Sequence, residues 1–440
     1  MLEKLTKEQE ALMLQTRDEW INLFFDNVKH QKGIDKPMFE SGIKWLYNDL
    51  LKKPEPKVIY CDSWLSCLLT IAILKENKTV RDSVWDSVGD SVRDSVWDSV
   101  RDSVWASVWD SVGDSVWDSV RASVRASVRD SVWASVRDSV WDSVRASVRA
   151  SVRDSVGDSV GDSFNEYSSY IDLSNYGWVS FFDFFEKIQV LDNFNFKEYK
   201  KIIKSGVFNA YEYENYVFAI QPPIHVERDD RGRLHSVNEA SVKFKDGSQY
   251  YFIHGVSITE EMFNQLLLNE YSFDSFIKES NEEIKAAALS FIEEKHGNEA
   301  LFNFISSHLK EIDTYIDKKD EKYLIGTTKC INNGVYTLFK GVTGNIDLAF
   351  VRCYCPSTDR MFFLSVDPIN SNAKDAIASL YRVPKKLISE IKYIQRQGER
   401  FSTVFTDKGM TLLKSLSKED ISDLTHISGN KYFSLMKYEY

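Results

Sequence analysis

Proline and cysteine are scarce in this chain. The cysteine count argues against a disulfide framework, and the distribution of proline leaves a long stretch free to be helical. The 440 residues include 8 prolines and 5 cysteines. An odd number of cysteines does not suit a fully paired disulfide framework, so we expect reduced thiols and a cytoplasmic location. No proline lies between Pro56 and Pro222, which permits a continuous helix anywhere in that stretch.

Long apolar runs and an excess of positive charge are also missing. The most apolar run, from Trp64 to Leu74, is shorter than the ~20 residues of a bilayer span, and the N-terminus has no apolar signal-peptide core. The 55 Lys and Arg against 66 Asp and Glu give a formal net charge of -11. We therefore expect neither a membrane protein nor a chain that coats nucleic acid along its whole surface.

The chain is long and apolar enough, with 43% hydrophobic residues, to build more than one core. Composition and periodicity divide it into a helical N-terminal region with a short strand (1–80), a tetrapeptide-repeat region (81–164) and a body (165–440). Within the body we predict an antiparallel β-meander over 217–258, helices over 259–318 and a mixed C-terminal segment. The predicted fold class is α+β.

The repeat has the form [D/A]-S-V-[W/R/G] from Asp82 to Phe164. At ~100° per residue, a helix places valine on one face and the Asp/Ala position nearly opposite. We favour this helix over a β-solenoid, because strict strand alternation would put Asp and Val on the same buried face. Because an α-helix has ~3.6 residues per turn, a sequence period of four moves the valines gradually around the helix. To keep the valines buried, we expect either a right-handed wrap of the repeat with a partner or breaks at the glycines.

Charge is segregated along the repeat. Residues 82–120 carry nine Asp and two Arg, whereas residues 121–153 carry seven Arg and three Asp. Neighbouring Arg and Trp side chains in the variable column predict cation–π stacking. The alternatives are a solvated face with a tryptophan-filled core, or a surface that binds a second copy, another protein or, less favoured, nucleic acid through Arg121 to Arg153. The predicted interaction surface comprises Trp85, Trp97, Trp105, Trp109, Trp117, Arg121, Arg125, Arg129, Trp133, Arg137, Trp141, Arg145, Arg149 and Arg153.

Several segments together resemble a widespread bacterial domain-of-unknown-function family. They are PKVI with DS at residues 56–63, GW to FDFF at 177–185, PPIHVERDDRGRLH to HGV at 222–256, and CPSTDRMFFLSVDP at 355–368. Asn238-Glu239-Ala240 and Asp359 depart from the family pattern. The resemblance implies no known activity. The tetrads are also similar to W-D-A-A and R-A-A-A runs of some bacterial immunity proteins, which favours a helix.

Six polar residues of the predicted meander form the candidate site: His225, Asp229, Arg233, His235, Asp246 and His254. The three histidines fall on neighbouring predicted strands, so an acid/base or metal site is geometrically possible. The alternative is hairpin structure, because Asp and Gly at these positions are typical of turns. Cys353 and Cys355 lack a second pair spaced for zinc, and we predict no metal and no cofactor.

The sequence contains no P-loop, GxSxG, HExxH or dinucleotide motif. We therefore predict a non-enzymatic interaction or scaffold protein whose repeat mediates self-association or partner docking. The alternative is an enzyme or an effector in bacterial conflict, with a site around His235 and His254.

Overall fold

The chain forms two compact units, Met1–Thr259 and Glu260–Tyr440. The computed structural model describes residues 5–76, 104, 122–134, 136, 171, 174–317, 334–343, 346–354, 361–397, 401–407, 409–412 and 424–439. The described residues form helices and mainly antiparallel sheets, which confirms the α+β class. The composition changes after residues 80 and 164 do not coincide with the boundary between the units.

Helices supply much of the first unit. They are α1 (Lys7–Lys29), α2 (Lys36–Lys44) with a π-helical continuation (Trp45–Leu50), α3 (Trp64–Glu76), α4 (Ser174–Lys187) and α5 (Phe194–Lys204). The side chain of Thr6 caps α1 and Gln9 returns the bond, which is a capping box. The predicted helical character of the N-terminal region is confirmed.

The described part of the repeat is a helix, which we call the repeat helix (residues 122–134 and 136). Its centre, Arg125–Asp130, is π-helical. π-Helical hydrogen bonds run from i to i+5 and so put more than ~3.6 residues in a turn, which brings the repeat helix closer to the four-residue sequence period. The repeat helix contacts α1 and α4.

The valines of the repeat helix share one buried face, and the first position of each tetrad faces outward. Val124, Val128, Val132 and Val136 are fully buried in the core of the first unit. Ala122, Ala126, Asp130 and Ala134 are exposed. The predicted amphipathic layout is therefore confirmed here. The predicted wrap or glycine break is not needed over these residues, because π-helical turns keep the valines in line.

Two small sheets complete the first unit. The strands are β1 (Lys57–Cys61), β2 (Asn209–Glu212), β3 (Tyr216–Ile220), β4 (His225–Val226), β5 (Val242–Lys243), β6 (Gln249–Ile253) and β7 (Val256–Ile258). One sheet has the order β1-β3-β2, with β1 parallel to β3. The other has the order β4-β5-β6-β7 and is the predicted antiparallel meander. Residues 217–220 lie outside it, because β3 pairs with β1 and β2 instead.

The second unit begins with helices and continues as an antiparallel sheet. Its first elements are α6 (Glu260–Leu267), α7 (Phe273–Lys278), α8 (Glu282–His296), α9 (Asn298–Ser306), β8 (Leu309–Ile316), β9 (Val335–Thr343), β10 (Ile346–Tyr354) and β11 (Met361–Ser365). The sheet order is β11-β10-β9-β8. The prediction of helix throughout 259–318 is wrong for β8, because pairing with β9 holds that segment extended.

The C-terminal segment holds more structure than the sequence predicts. Its elements are α10 (Ala373–Ser379), β12 (Arg382–Pro384), β13 (Ile391–Gln397), β14 (Phe401–Thr406), β15 (Gly409–Leu412), β16 (Leu424–His426), α11 (Gly429–Leu435) and β17 (Met436–Glu439). The sheet orders are β12-β16 and β15-β14-β13-β17. Among the described residues, no helix combines the length and apolar character of a bilayer span. The described cysteines Cys61, Cys67 and Cys353 are free thiols.

Candidate functional site

The structure separates the six predicted polar residues into three groups. Asp229, Arg233, His235 and His254 contact one another in the meander. His225 instead lies beside two glutamates, and Asp246 contacts the start of α3. The prediction of one constellation is therefore wrong for His225 and Asp246.

Asp229 is the centre of the first group, which we call the Asp229 cluster (Asp229, Arg233, His235 and His254). Its Oδ1 accepts hydrogen bonds from the backbone N–H groups of Arg231 at 3.0 Å and Arg233 at 2.9 Å. Its Oδ2 lies 2.7 Å from Nε of Arg233 and 2.9 Å from Nδ1 of His254. Burial alone would raise the pKa of Asp229, but the hydrogen bonds from His254 and Arg233 outweigh it and hold that pKa well below its ordinary value.

His254 reaches Asp229 because of an unusual backbone conformation. His254 and Gly255 form the two-residue turn between β6 and β7, with φ of 48° and 83°. Two positive φ values characterise a type I′ hairpin turn, in which the first position favours Asn or Gly. Histidine at this position carries some backbone strain. The contact between Asp229 and His254 stabilises this turn.

His235 packs flat on His254. The ring centroids are 4.1 Å apart and the planes differ by 6°. The backbone N–H of His254 donates to Nδ1 of His235 at 3.2 Å. The two histidines are close to each other as predicted, but neither lies on a strand, because His235 is in the loop between β4 and β5 and His254 is in the β6–β7 turn.

The Asp229 cluster has the parts of an oriented acid/base pair. A carboxylate that bonds one nitrogen of an imidazole fixes the tautomer and orientation of the ring, as in catalytic Asp–His pairs. The same contacts also join the loop after β4 to the β6–β7 turn. The arrangement thus supports either proton transfer or hairpin structure.

His225 forms a second group with Glu227 and Glu239. Nε2 of His225 lies 3.8 Å from Oε2 of Glu227 and 3.7 Å from Oε1 of Glu239. Neither glutamate was among the predicted site residues. A signal was present for Glu227, because residues i and i+2 of a strand point to the same face.

Asp246 lies at the turn between β5 and β6 and connects this turn to the start of α3 through hydrogen bonds. It accepts hydrogen bonds from the hydroxyl of Ser63 and, at 3.0 Å, from the backbone N–H of Ser248. Ser63 in turn caps α3 by accepting from the backbone N–H of Ser66 at 3.0 Å. Asp246 therefore anchors the start of α3.

Three members of the predicted interaction surface lie in the repeat helix. Arg125 is exposed, with Nε 3.6 Å from Oδ1 of Asp130. The guanidinium carbon of Arg129 lies 5.5 Å from the ring centroid of Trp133, as the cation–π prediction requires. Trp133 is half-buried and packs against Gly177 of α4, where a Cβ would come within 2.8 Å of its ring. Trp133 therefore packs within the first unit, and we do not include it in the proposed interaction surface.

The other members of that surface lie outside the described residues. They are Trp85, Trp97, Trp105, Trp109, Trp117, Arg121, Arg137, Trp141, Arg145, Arg149 and Arg153. Cys355 also lies outside them, whereas Cys353 is half-buried on β10.

A cleft of about 580 Å³ in the second unit was not predicted. Arg382 and His426, which are paired between β12 and β16, contribute to its wall together with Asp367 and Asp375. Both oxygens of Asp375 are hydrogen-bonded, to the backbone N–H of Gly429 and to the amide of Asn372. The cleft residues come from segments far apart in the chain, so local sequence pattern gives no signal for them.

Comparisons with protein families, with curated proteins and with solved structures give no match. The resemblance to the bacterial family of unknown function therefore stays a prediction.

Proposed function

We propose that this chain is a non-enzymatic cytoplasmic interaction protein whose repeat mediates self-association. The observation that supports this most is the orientation of the repeat helix. Its valines are packed in the core of the first unit, whereas the Asp/Ala position and Arg125 face outward. Within the repeat helix the Asp/Ala column, whose charge varies along the sequence of the repeat, faces outward, and in the Trp/Arg/Gly column Arg125 is exposed whereas Arg129 and Trp133 are half-buried.

The proposed partner is a second copy of the same chain. Residues 82–120 have an excess of seven negative charges and residues 121–153 an excess of four positive charges. The basic half of one copy matches the acidic half of another, and opposite charges on facing surfaces steer association and fix its register. A nucleic-acid partner would use only the basic half, so it is the less favoured proposal.

The buried face of the repeat helix changes how this proposal must be tested. Removal of residues 82–164 would delete valines from the core of the first unit along with the proposed surface. Loss of assembly in that deletion would therefore not separate the two effects. Single changes at exposed charged positions are the sharper tool.

The test is sedimentation velocity of the full chain at about 0.05 M and about 0.5 M salt, because screening shortens from ~14 to ~4 Å over that range. We expect a faster-sedimenting species at low salt that dissociates at high salt. Arg125→Glu should weaken association, whereas the matched control Lys431→Glu, at an exposed position of α11, should not. A monomer at both salt concentrations would contradict the proposal.

A second candidate function rests on the Asp229 cluster. The 2.9 Å contact between Asp229 and His254 favours an enzyme or effector that uses His254 in proton transfer. Under this reading His254→Gln and Asp229→Asn abolish the biological activity, while Arg125→Glu leaves it intact. The opposite pattern supports the interaction protein.

A further inference from the structure

His225, Glu227 and Glu239 surround one point at the start of the meander. We propose that these three side chains, which we call the His225 site, bind a divalent transition-metal ion of the Zn²⁺ type. This inference is independent of self-association through the repeat. It assigns a ligand to residues that the Asp229 cluster does not contain.

The distances in the His225 site match those between metal ligands. One ligand atom from each residue lies within 4.8 Å of the others. Nε2 of His225 is 3.8 Å from Glu227 and 3.7 Å from Glu239, which is too far for a hydrogen bond. Ligand atoms at ~2.1 Å from a tetrahedral zinc ion are about 3.4 Å apart. A small inward movement of the two carboxylates would therefore complete the coordination.

The imidazole nitrogen of His225 is also an unsatisfied group. Nε2 is shielded from solvent and makes no hydrogen bond, although the side chain as a whole is 33% exposed. Leaving a shielded polar nitrogen without a partner costs free energy, and such a group in a native protein calls for an explanation. A metal ion at the His225 site would accept the lone pair of this nitrogen.

The ligand types select the class of metal. One imidazole with two carboxylates suits Zn²⁺ and its first-row neighbours, whereas Ca²⁺ and Mg²⁺ prefer oxygen ligands alone. The side chains of Glu227 and Glu239 are 41% and 47% exposed. Solvent therefore reaches the site, and water can fill the fourth coordination position.

Lys243 competes with a metal for the same carboxylate. Its ammonium group pairs with Oε2 of Glu239, whereas Oε1 faces His225. Removal of the ammonium charge should strengthen metal binding.

A bound ion would join the two ends of the loop that carries the Asp229 cluster. Glu227 precedes this loop, residues 228–238, and Glu239 follows it. Three members of the cluster, Asp229, Arg233 and His235, lie within the loop. The metal should therefore stabilise this part of the meander, because a ligand that binds only the folded state raises the melting temperature.

The test is isothermal titration of the reduced full chain with Zn²⁺. Because cysteines can also bind zinc, the informative quantity is the difference between variants. We expect His225→Ala to bind one equivalent fewer than the wild type and His235→Ala to bind the same number. Zn²⁺ should raise the melting temperature of the wild type more than that of His225→Ala.

Two further variants keep the test valid if His225→Ala does not fold. Glu239→Gln should lower the affinity of this site at least ~10-fold, because changes even to outer-shell partners of a metal cost 10- to 100-fold. Lys243→Gln should raise it. Equal stoichiometry and affinity in the wild type and Glu239→Gln, or an equal loss of binding in His225→Ala and His235→Ala, would overturn the proposal.

Discussion

At the scale of single residues, the Asp229 cluster shows how one carboxylate organises a loop. Asp229 accepts hydrogen bonds from two backbone groups and contacts the side chains of Arg233 and His254. Its side chain is only 10% exposed. A part-buried charge with this many partners is costly to neutralise, because each partner is left without its bond.

Neutralisation of Asp229 should therefore destabilise the first unit. We expect Asp229→Asn to lower the free energy of unfolding by about 1–3 kcal/mol, measured by urea denaturation. The neighbouring Asp230 is exposed, so Asp230→Asn is a matched control and should change stability by less than about 0.5 kcal/mol. Equal effects of the two variants would contradict the role of Asp229.

Two depressed carboxyl pKa values predict sensitivity to acid. Asp183 in α4 is buried, which alone would raise its pKa, but the bond from Lys200 at 2.7 Å and the charges of Lys204 and Lys200 lower it. The pKa of Asp229 is lowered as well. A carboxyl whose pKa is lower in the folded state stabilises the fold above its unfolded value of about 3.9, and this contribution is lost as pH falls further.

We therefore expect the free energy of unfolding of the wild type to decrease below about pH 5, measured by urea titrations at several pH values. Asp183→Asn should lower the free energy of unfolding at neutral pH and should weaken its decrease at acid pH. If the free energy of unfolding of Asp183→Asn decreases at acid pH as steeply as that of the wild type, Asp183 is not a source of the pH dependence.

Gly177 is a residue whose role only the structure shows. A Cβ there would lie 2.8 Å from the ring of Trp133 and 3.4 Å from the carbonyl oxygen of Arg129. Gly177→Ala should improve the intrinsic helix propensity of α4 by about 1 kcal/mol. We expect net destabilisation by about 1–3 kcal/mol instead, because the repeat helix must move.

A double-mutant cycle in chemical denaturation tests this contact. If the ring of Trp133 is the obstacle, Gly177→Ala should be better tolerated in a Trp133→Ala background. Strictly additive effects would mean that Trp133 and Gly177 do not interact.

At the scale of elements, the repeat helix explains how a period of four remains amphipathic. π-Helical turns at Arg125–Asp130 bring the helical repeat toward four residues. The valines consequently stay against α1 and α4. This combination lets the repeat contribute to the core while its first position varies between Asp and Ala.

The two faces of the repeat helix should respond differently to substitution. Val128 is fully buried, so Val128→Ala should cost about 1.5–3 kcal/mol in the free energy of unfolding. Ala126 is exposed, and Ala126→Ser should cost no more than about 0.5 kcal/mol. Both values can be measured by thermal or urea denaturation, and a smaller loss in Val128→Ala than in Ala126→Ser would contradict the orientation of the helix.

The elements also show what the sequence could predict. Local periodicity was sufficient for the N-terminal helices and the amphipathic repeat helix, because the signal for a helix lies within the segment itself. It was insufficient for β8, whose conformation depends on pairing with β9. The proximity of His235 and His254 was predicted from neighbouring strands, although His235 lies in the loop between β4 and β5. Strand alternation gives a signal for Glu227, whereas the position of Glu239 depends on the path of that loop.

At the scale of the whole molecule, the two compact units differ in what the sequence revealed. The first unit contains the repeat helix, the meander and all the sites that the sequence predicted. The second unit contributes the cleft beside Arg382 and His426, whose walls come from distant segments. The proposed assembly depends on the first unit alone, through the charges of its repeat.

The central claim is that opposite charges on two copies of the repeat hold them together, and charge reversal tests it most directly. One variant replaces Arg121, Arg125, Arg145 and Arg149 by Glu, and the other replaces Asp86, Asp90, Asp94 and Asp98 by Lys. We expect each variant alone to sediment as a monomer at low salt and an equimolar mixture to form a complex that high salt dissociates. Unchanged association of the Arg-to-Glu variant alone, or no complex in the mixture, would contradict the claim.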